Sequence, residues 1–288
     1  MTTMDEEQGT SPILLRRRLA NELRRLREAS GLTLGQAAAE LCCSPSKLSR
    51  LETCQVGAAV SDVNLLLNIY NVNAHKRNAL LTMARQARRK ENMWREYRNA
   101  PDVYKLISLE RTAELIRIYH SALIPGLLQV EKYARSTISV VLPQLSDEEI
   151  ERHVRLRVER QRLLSVDSPP TLHVILDEAT LRRLEGTPHT LHEQVRHLIE
   201  VTEMANVTLQ FIPFAVGLYG GLEGPFRIFT FRDAEDVDLV HLEHPSGEIY
   251  LQNPDQVAKY CSLFDQLRLL ALSPADSVRF LHGVQRSA

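Results

Sequence analysis

Residues 33–53 read T-L-G-Q-A-A-A-E-L-C-C-S-P-S-K-L-S-R-L-E-T. Within this run Lys47 and Arg50 stand three residues apart, on one face of a helix. Ser46 and Ser49 add short hydroxyls beside them. Lysine and arginine donate to the acceptor edges of guanine, and a helix N-terminus favours phosphate. Ser44 is a good N-cap and Pro45 a good first helical residue, so the helix that presents these groups starts there. The chemistry offered by Ser44, Pro45, Ser46, Lys47, Ser49 and Arg50 is recognition of double-stranded DNA, with no bond broken. Arg16, Arg17 and Lys76 are candidates for phosphate contacts, which set salt dependence and carry no sequence information. Arg50 has a second reading: it could hold a neighbouring acid inside the domain.

Other chemistry-bearing residues give weaker patterns. His192 and His197 flank Glu193 and resemble a zinc-protease motif, but i and i+5 lie about 140° apart on a helix. They read as a solvated helix face. His241 and His244 flank Glu243, with His120 and His173 elsewhere, and spacing alone supports a metal or ligand cluster weakly. Asp177 and Glu178 follow a strand and suit a helix N-terminus better than acid–base catalysis. Gly217, Gly220, Gly221 and Gly224 form a loop without the Lys-Ser/Thr and helix of a phosphate-binding loop. It borders a pocket or turns the chain. Cys42, Cys43 and Cys54 lie in or beside the DNA motif and read as small buried hydrophobes, with a redox switch as the alternative. No nucleophile–base pair, metal motif or cofactor loop appears. The expectation is a protein that is not an enzyme and uses no cofactor and no metal.

The elements that must position the motif are helical. Leu15, Leu19, Leu23 and Leu26 recur every three or four residues, with arginines around them, and Gly31 suits the position after the helix. Thr33 and Gln36 have the spacing of a capping box that opens the next helix. Ala38 is small where two helices cross, and Leu48 and Leu51 face inward. Further helices are expected at about 34–41, 45–52, 61–70 and 74–90. Beyond residue 105 the pattern is mixed. Residues 114–120 suit a strand or a helix, 147–165 a charged helix, 171–177 a strand followed by a helix, and 188–205 a helix. Strands are expected at 207–212, 226–231, 237–243 and 248–251, the last two joined as a hairpin through His-Pro-Ser-Gly. Two closing helices span about 254–272 and 274–285. The fold class is thus an all-α N-terminal helix-turn-helix domain plus a mixed α/β C-terminal domain.

The S-P-S-K-L-S-R-L-E run, its Leu-Thr start and the Arg-rich first helix resemble the Cro/repressor (XRE) helix-turn-helix family. That resemblance implies a four- or five-helix domain in which residues 45–52 form the recognition helix. Two positions depart from the family pattern. Cys42 occupies the turn position usually held by glycine. Leu34 replaces the polar residue that contacts phosphate, so no such contact is assigned to it. The resemblance extends along the chain through W-R-E-Y-R (94–98), I-P-G-L-L-Q-V-E-K-Y-A-R (124–135) and L-D-E-A-T-L-R-R (176–183). It continues through N-V-T-L-Q-F-I-P-F (206–214), G-G-L-E-G-P-F (220–226) and L-R-L-L-A-L-S-P (267–274). Together these resemble an actinobacterial family of antitoxin-like transcription regulators with a C-terminal domain of unknown function. Members are often encoded beside a small partner protein.

Charge is divided in the same way. The net charge of the 288-residue chain is −1, yet residues 1–90 hold 14 Lys/Arg and 8 Asp/Glu, whereas residues 91–288 hold 21 and 28. A basic head on an acidic body suggests that only the head meets phosphates. The polar, acidic start is not expected to be a signal peptide, and no apolar run approaches the ~20 residues of a membrane span. The four cysteines form no disulfide framework, which suits a reduced cytoplasmic protein. The expected organisation is a disordered tail at 1–11, the DNA-binding domain at 12–90, a linker or helix extension at 91–105, and a regulatory or partner-binding domain at 106–288. A helix-turn-helix unit reads few base pairs, so a homodimer is expected. The body is expected to hold the dimer and to bind a small partner protein or a small-molecule ligand. An adaptor that binds mainly protein, or an antitoxin-like component of a two-gene system, is the alternative; an enzyme with a DNA-binding head ranks below both.

Overall fold

Leu19 and Leu23 lie at the centre of the N-terminal core, 2% and 0% exposed in the computed structural model. The structure describes residues 12–54, 56–88, 101–184, 186–233, 236–244 and 247–287. The tail expected at 1–11 and residues 91–100 of the expected linker lie outside them. The chain divides into two units, residues 1–109 with 233–236, and residues 110–232 with 237–288.

The first unit is helical: α1 (Pro12–Ala29), α2 (Leu34–Glu40), α3 (Pro45–Glu52), α4 (Val60–Ile69) and α5 (Ala74–Gln86). Each helix turns an apolar stripe inward. Leu19 and Leu23 of α1 meet Ala37 and Ala38 of α2, Leu48 and Leu51 of α3, Val63, Leu66 and Leu67 of α4, and Leu80 and Ala84 of α5. Burying one leucine contributes about 1.5–3 kcal/mol, so α2, α3 and α4, too short to persist alone, are held by packing on their neighbours. Gly31 takes φ +70° after α1, where only a residue without Cβ turns the chain cheaply.

The structure departs from the expected linker at Pro101, which opens α6 (Pro101–Thr112). Proline lacks the N–H that a helix start leaves unused, so a residue that reads as punctuation begins a helix. Leu106, Ile107 and Leu109 bury its apolar side.

The second unit is built on six strands in the order β3-β2-β1-β4-β5-β6: β1 (Ala113–His120), β2 (Thr171–Asp177), β3 (Val207–Ile212), β4 (Phe226–Phe231), β5 (Leu239–His244) and β6 (Gly247–Leu251). β1, β2 and β3 run parallel, and β4, β5 and β6 continue antiparallel. Parallel neighbours need crossovers. Between β1 and β2 the chain forms α7 (Glu131–Val141) and α8 (Asp147–Gln161); between β2 and β3 it forms α9 (Ala179–Arg182) and α10 (Pro188–Thr202). α11 (Pro254–Leu270) and α12 (Pro274–Ser287) close the chain. Val257, Phe264 and Leu267 of α11 pack on Tyr119, Ile175, Ile212, Phe226, Ile228 and Val240 of the sheet. Phe211, one residue from Ile212, points to the opposite face and meets Phe280 of α12 with ring centroids 5.2 Å apart.

Candidate nucleic-acid interface

Two local hydrogen-bond systems set the helix-turn-helix. The Thr33 side chain accepts from the Gln36 backbone N–H while the Gln36 side chain accepts from that of Thr33, closing a capping box on α2. The Ser44 hydroxyl accepts the Lys47 N–H at 3.2 Å, and Pro45 occupies the first turn of α3. Between them Cys42 takes φ +53°, a left-handed conformation. The N–H of Cys43 reaches back to the Ala38 carbonyl at 2.9 Å and completes the turn.

Leu48, Leu51 and Glu52 are the buried side of α3. Pro45, Ser46, Lys47 and Arg50 are exposed, and Ser49 is half-buried. The two cations of this face have different surroundings. Lys47 Nζ donates to Asp62 Oδ2 of α4 at 2.9 Å. That bond and the carboxylate charge raise the Lys47 pKa. Arg50 Nε donates to the Ser46 carbonyl at 3.3 Å, one turn back, and no carboxylate of the described residues pairs with it. The neighbouring acid Glu52 lies on the buried side of α3 and is held by Arg27 of α1, not by Arg50: Nε to Oε1 at 2.8 Å and Nη2 to Oε2 at 2.9 Å.

The three outlying cations are placed differently from one another. Arg17 is 2% exposed. It lies one turn from Leu14 and Ala20, both buried, so the inward side of α1 is broader than the leucine stripe and includes it. This corrects the expectation of a phosphate contact at Arg17. Arg16 is half-buried, and its Nε donates to the Ala87 carbonyl at the end of α5 at 2.7 Å. Lys76 pairs with Glu22 of α1, whose pKa is lowered to about 2 by its hydrogen bond to Arg25 and by the pairing with Lys76. Sequence reasoning did not identify Asp62, Glu22 or Arg27, because partners on another helix leave no periodic trace.

Residues 18–80 match the family model of a helix-turn-helix domain. Residues 103–283 match a domain of unknown function, DUF5753. The chain belongs to the DUF5753 family. No curated protein and no solved structure matches it. The helix-turn-helix match supports DNA binding and transcription regulation.

The DUF5753 domain holds the remaining residues singled out in the sequence. His120, Arg227 and His241 are buried. Arg227 Nη1 is 3.1 Å from His241 Nδ1 and 2.6 Å from Glu243 Oε1. Burial and the Arg227 charge push the His120 pKa down to about 3, so its imidazole is neutral. The centre of this histidine group is therefore a guanidinium. Among the described residues no group of three or more His, Cys, Asp and Glu side chains could hold a metal ion. His173 stands apart, 2.7 Å from Gln210 and edge-on to Phe264 of α11. His192 is exposed and His197 half-buried on α10. Asp177 Oδ1 accepts the Ala179 N–H at 2.7 Å, and Glu178 accepts the Phe214 N–H at 2.9 Å, so both carboxylates satisfy backbone at the end of β2. The Tyr219 hydroxyl donates to Asp177 and lies 2.9 Å from that of Tyr119. Gly221 packs so closely on Tyr119 that a Cβ there would lie 2.6 Å from the ring, which explains a glycine at this point of the loop. Among the described residues no helix is long and apolar enough to cross a membrane.

Proposed function

We propose that the chain is a sequence-specific DNA-binding transcription regulator of the XRE type whose α3 enters the major groove. The observation that carries this reading is the division of α3. Leu48, Leu51 and Glu52 are spent on the core, while Pro45, Ser46, Lys47 and Arg50 form an exposed, cationic first two turns. An exposed helix of that composition, buttressed by a second short helix across a tight turn, suits base-edge readout. Lys47 and Arg50 supply base contacts, Ser46 and Ser49 assist, and Ser44 and Pro45 bring the helix N-terminus to the backbone. Arg16 and Lys76 contribute at most through phosphate. The DUF5753 domain serves assembly into a homodimer and reception of a small partner protein or small-molecule ligand. It catalyses no reaction, and the protein works in the cytoplasm. The acidic balance of residues 91–288 supports a body that stays off the duplex.

Selection of bound duplexes from a random pool, followed by a gel shift with the selected sequence and the promoter of its own operon, tests this reading. The expected result is a two-fold related motif with half-sites about one helical turn apart. Recovery of no enriched motif, with equal affinity for every duplex, would overturn it.

A further inference from the structure

Asp62 stands in the first turn of α4 and reaches across to α3, where its Oδ2 accepts from Lys47 Nζ at 2.9 Å. Its side chain is 21% exposed, against 48% for Lys47, so the carboxylate is the more buried member of the pair and the ammonium the outward one. Arg50, the other cation of α3, has no such partner among the described residues.

A lysine ammonium has three N–H donors and no acceptor. One is committed to Asp62, which leaves two. The two kinds of acceptor on a duplex then differ sharply. A phosphate brings a full negative charge towards a carboxylate that already neutralises Lys47, so the contact gains little and meets repulsion. The O6 and N7 of guanine are neutral acceptors. They can take a remaining N–H without displacing the carboxylate.

We infer that Asp62 is a specificity-determining residue, which by holding Lys47 suppresses its sequence-independent attraction to phosphate and reserves its free N–H groups for a base edge. The inference rests on the DNA-binding reading above. Asp62 acts through Lys47 and is a positioning residue. Discrimination arises from penalising the wrong duplex as well as from rewarding the right one.

The test uses the full chain and two labelled duplexes, the selected operator and a scrambled duplex of equal composition, titrated at several KCl concentrations. Asp62→Asn is expected to bind the scrambled duplex at least threefold more tightly. The slope of log affinity against log salt should steepen by about 0.9, the value for one further phosphate contact. Operator-to-scrambled preference should fall correspondingly. Asp62→Glu, which keeps the charge, should remain near wild type, and Asp62→Asn should have no effect on the scrambled duplex when Lys47 is already alanine. An Asp62→Asn protein with unchanged scrambled-duplex affinity and unchanged slope overturns the inference while the DNA-binding reading stands. An equal gain in the Lys47→Ala background overturns it too, because Asp62 would then act by direct repulsion. A wild-type protein that binds neither duplex refutes the reading itself, and the inference with it.

Discussion

Arg27 and Glu52 form a buried, two-pronged ion pair that ties α1 to the last turn of α3. Their side chains are 10% and 3% exposed. Arg27 Nη1 also donates to the Leu32 carbonyl at 2.9 Å, in the turn before α2. One guanidinium thus sets the relative placement of three helices around the candidate interface. Both charges are out of water, so their desolvation offsets much of their attraction and the intact pair adds little net stability. Glu52→Ala is expected to destabilise the N-terminal unit by about 3–5 kcal/mol, because it strands a buried guanidinium. The double variant Arg27→Met/Glu52→Leu should cost far less. Urea unfolding of the three proteins distinguishes the cases, and a Glu52→Ala protein within 1 kcal/mol of wild type would show the pair to be more hydrated than its geometry implies.

Cys42 sits where the helix-turn-helix bends, at φ +53°. A left-handed backbone costs an L-residue about 1–2 kcal/mol, and glycine's extra freedom in the unfolded chain returns about 0.5–1 kcal/mol of that. Cys42→Gly is therefore expected to stabilise the protein modestly, by roughly 0.5–1 kcal/mol, and to leave operator affinity unchanged, since the side chain it removes is exposed. A thermal melt decides it: a lower Tm for the glycine variant would mean that the thiol packs usefully.

These two sites show what the sequence disclosed. The turn at Cys42, the Thr33–Gln36 box and the Ser44-Pro45 start are local, and each is written within four residues. The strands at 171–177, 207–212 and 226–231 were legible because their apolar and β-branched runs are short and bounded by punctuation. β1 was ambiguous, since A-E-L-I-R-I-Y-H fits either period; pairing with both β2 and β4 settles it as a central strand. α7 is masked in the sequence because E-K-Y-A-R-S-T-I-S-V-V carries many β-branched residues and hydroxyls, yet Tyr133, Ala134 and Ile138 give it an inward face. The burial of Arg17 and the Lys47–Asp62 and Lys76–Glu22 pairs depend on which helices adjoin. No single stretch of chain encodes that.

Acid should weaken the fold through its buried histidines. His120 is held neutral to about pH 3 by burial and by the Arg227 charge, with His241 acting in the same direction and Glu243 opposing. In the unfolded chain it titrates near 6.5. Between those values the unfolded state binds a proton that the native state refuses, so stability falls as pH drops. For this group the slope is at most about 1.4 kcal/mol per pH unit. His153, His173 and His197 are also lowered by burial and add to the same trend. Glu243, lowered chiefly by Arg227, adds a further loss below the ordinary carboxylate range. Urea midpoints measured from pH 7 to pH 4.5 should decline steadily, and His120→Gln should flatten the decline. Parallel curves for the variant and wild type would place His120 outside the titrating set.

Arg50 is the residue on which base readout should depend most. It is exposed, it lies one turn along α3 from the helix start, and its guanidinium is free of carboxylates among the described residues. The bond from its Nε to the Ser46 carbonyl turns the side chain back towards the N-terminal half of α3 and leaves both Nη groups as donors. A two-pronged contact to guanine O6 and N7 needs such a pair. Arg50→Ala is expected to cost about 1–3 kcal/mol on the selected operator and to relax preference at the base it reads. Arg50→Lys should recover less than half of that loss, because a point charge replaces a planar fork. The measurement is a set of competition titrations against operators changed one base at a time. If Arg50→Ala lowers affinity for every duplex by the same factor and leaves the ranking intact, Arg50 binds phosphate and sequence is read elsewhere on α3.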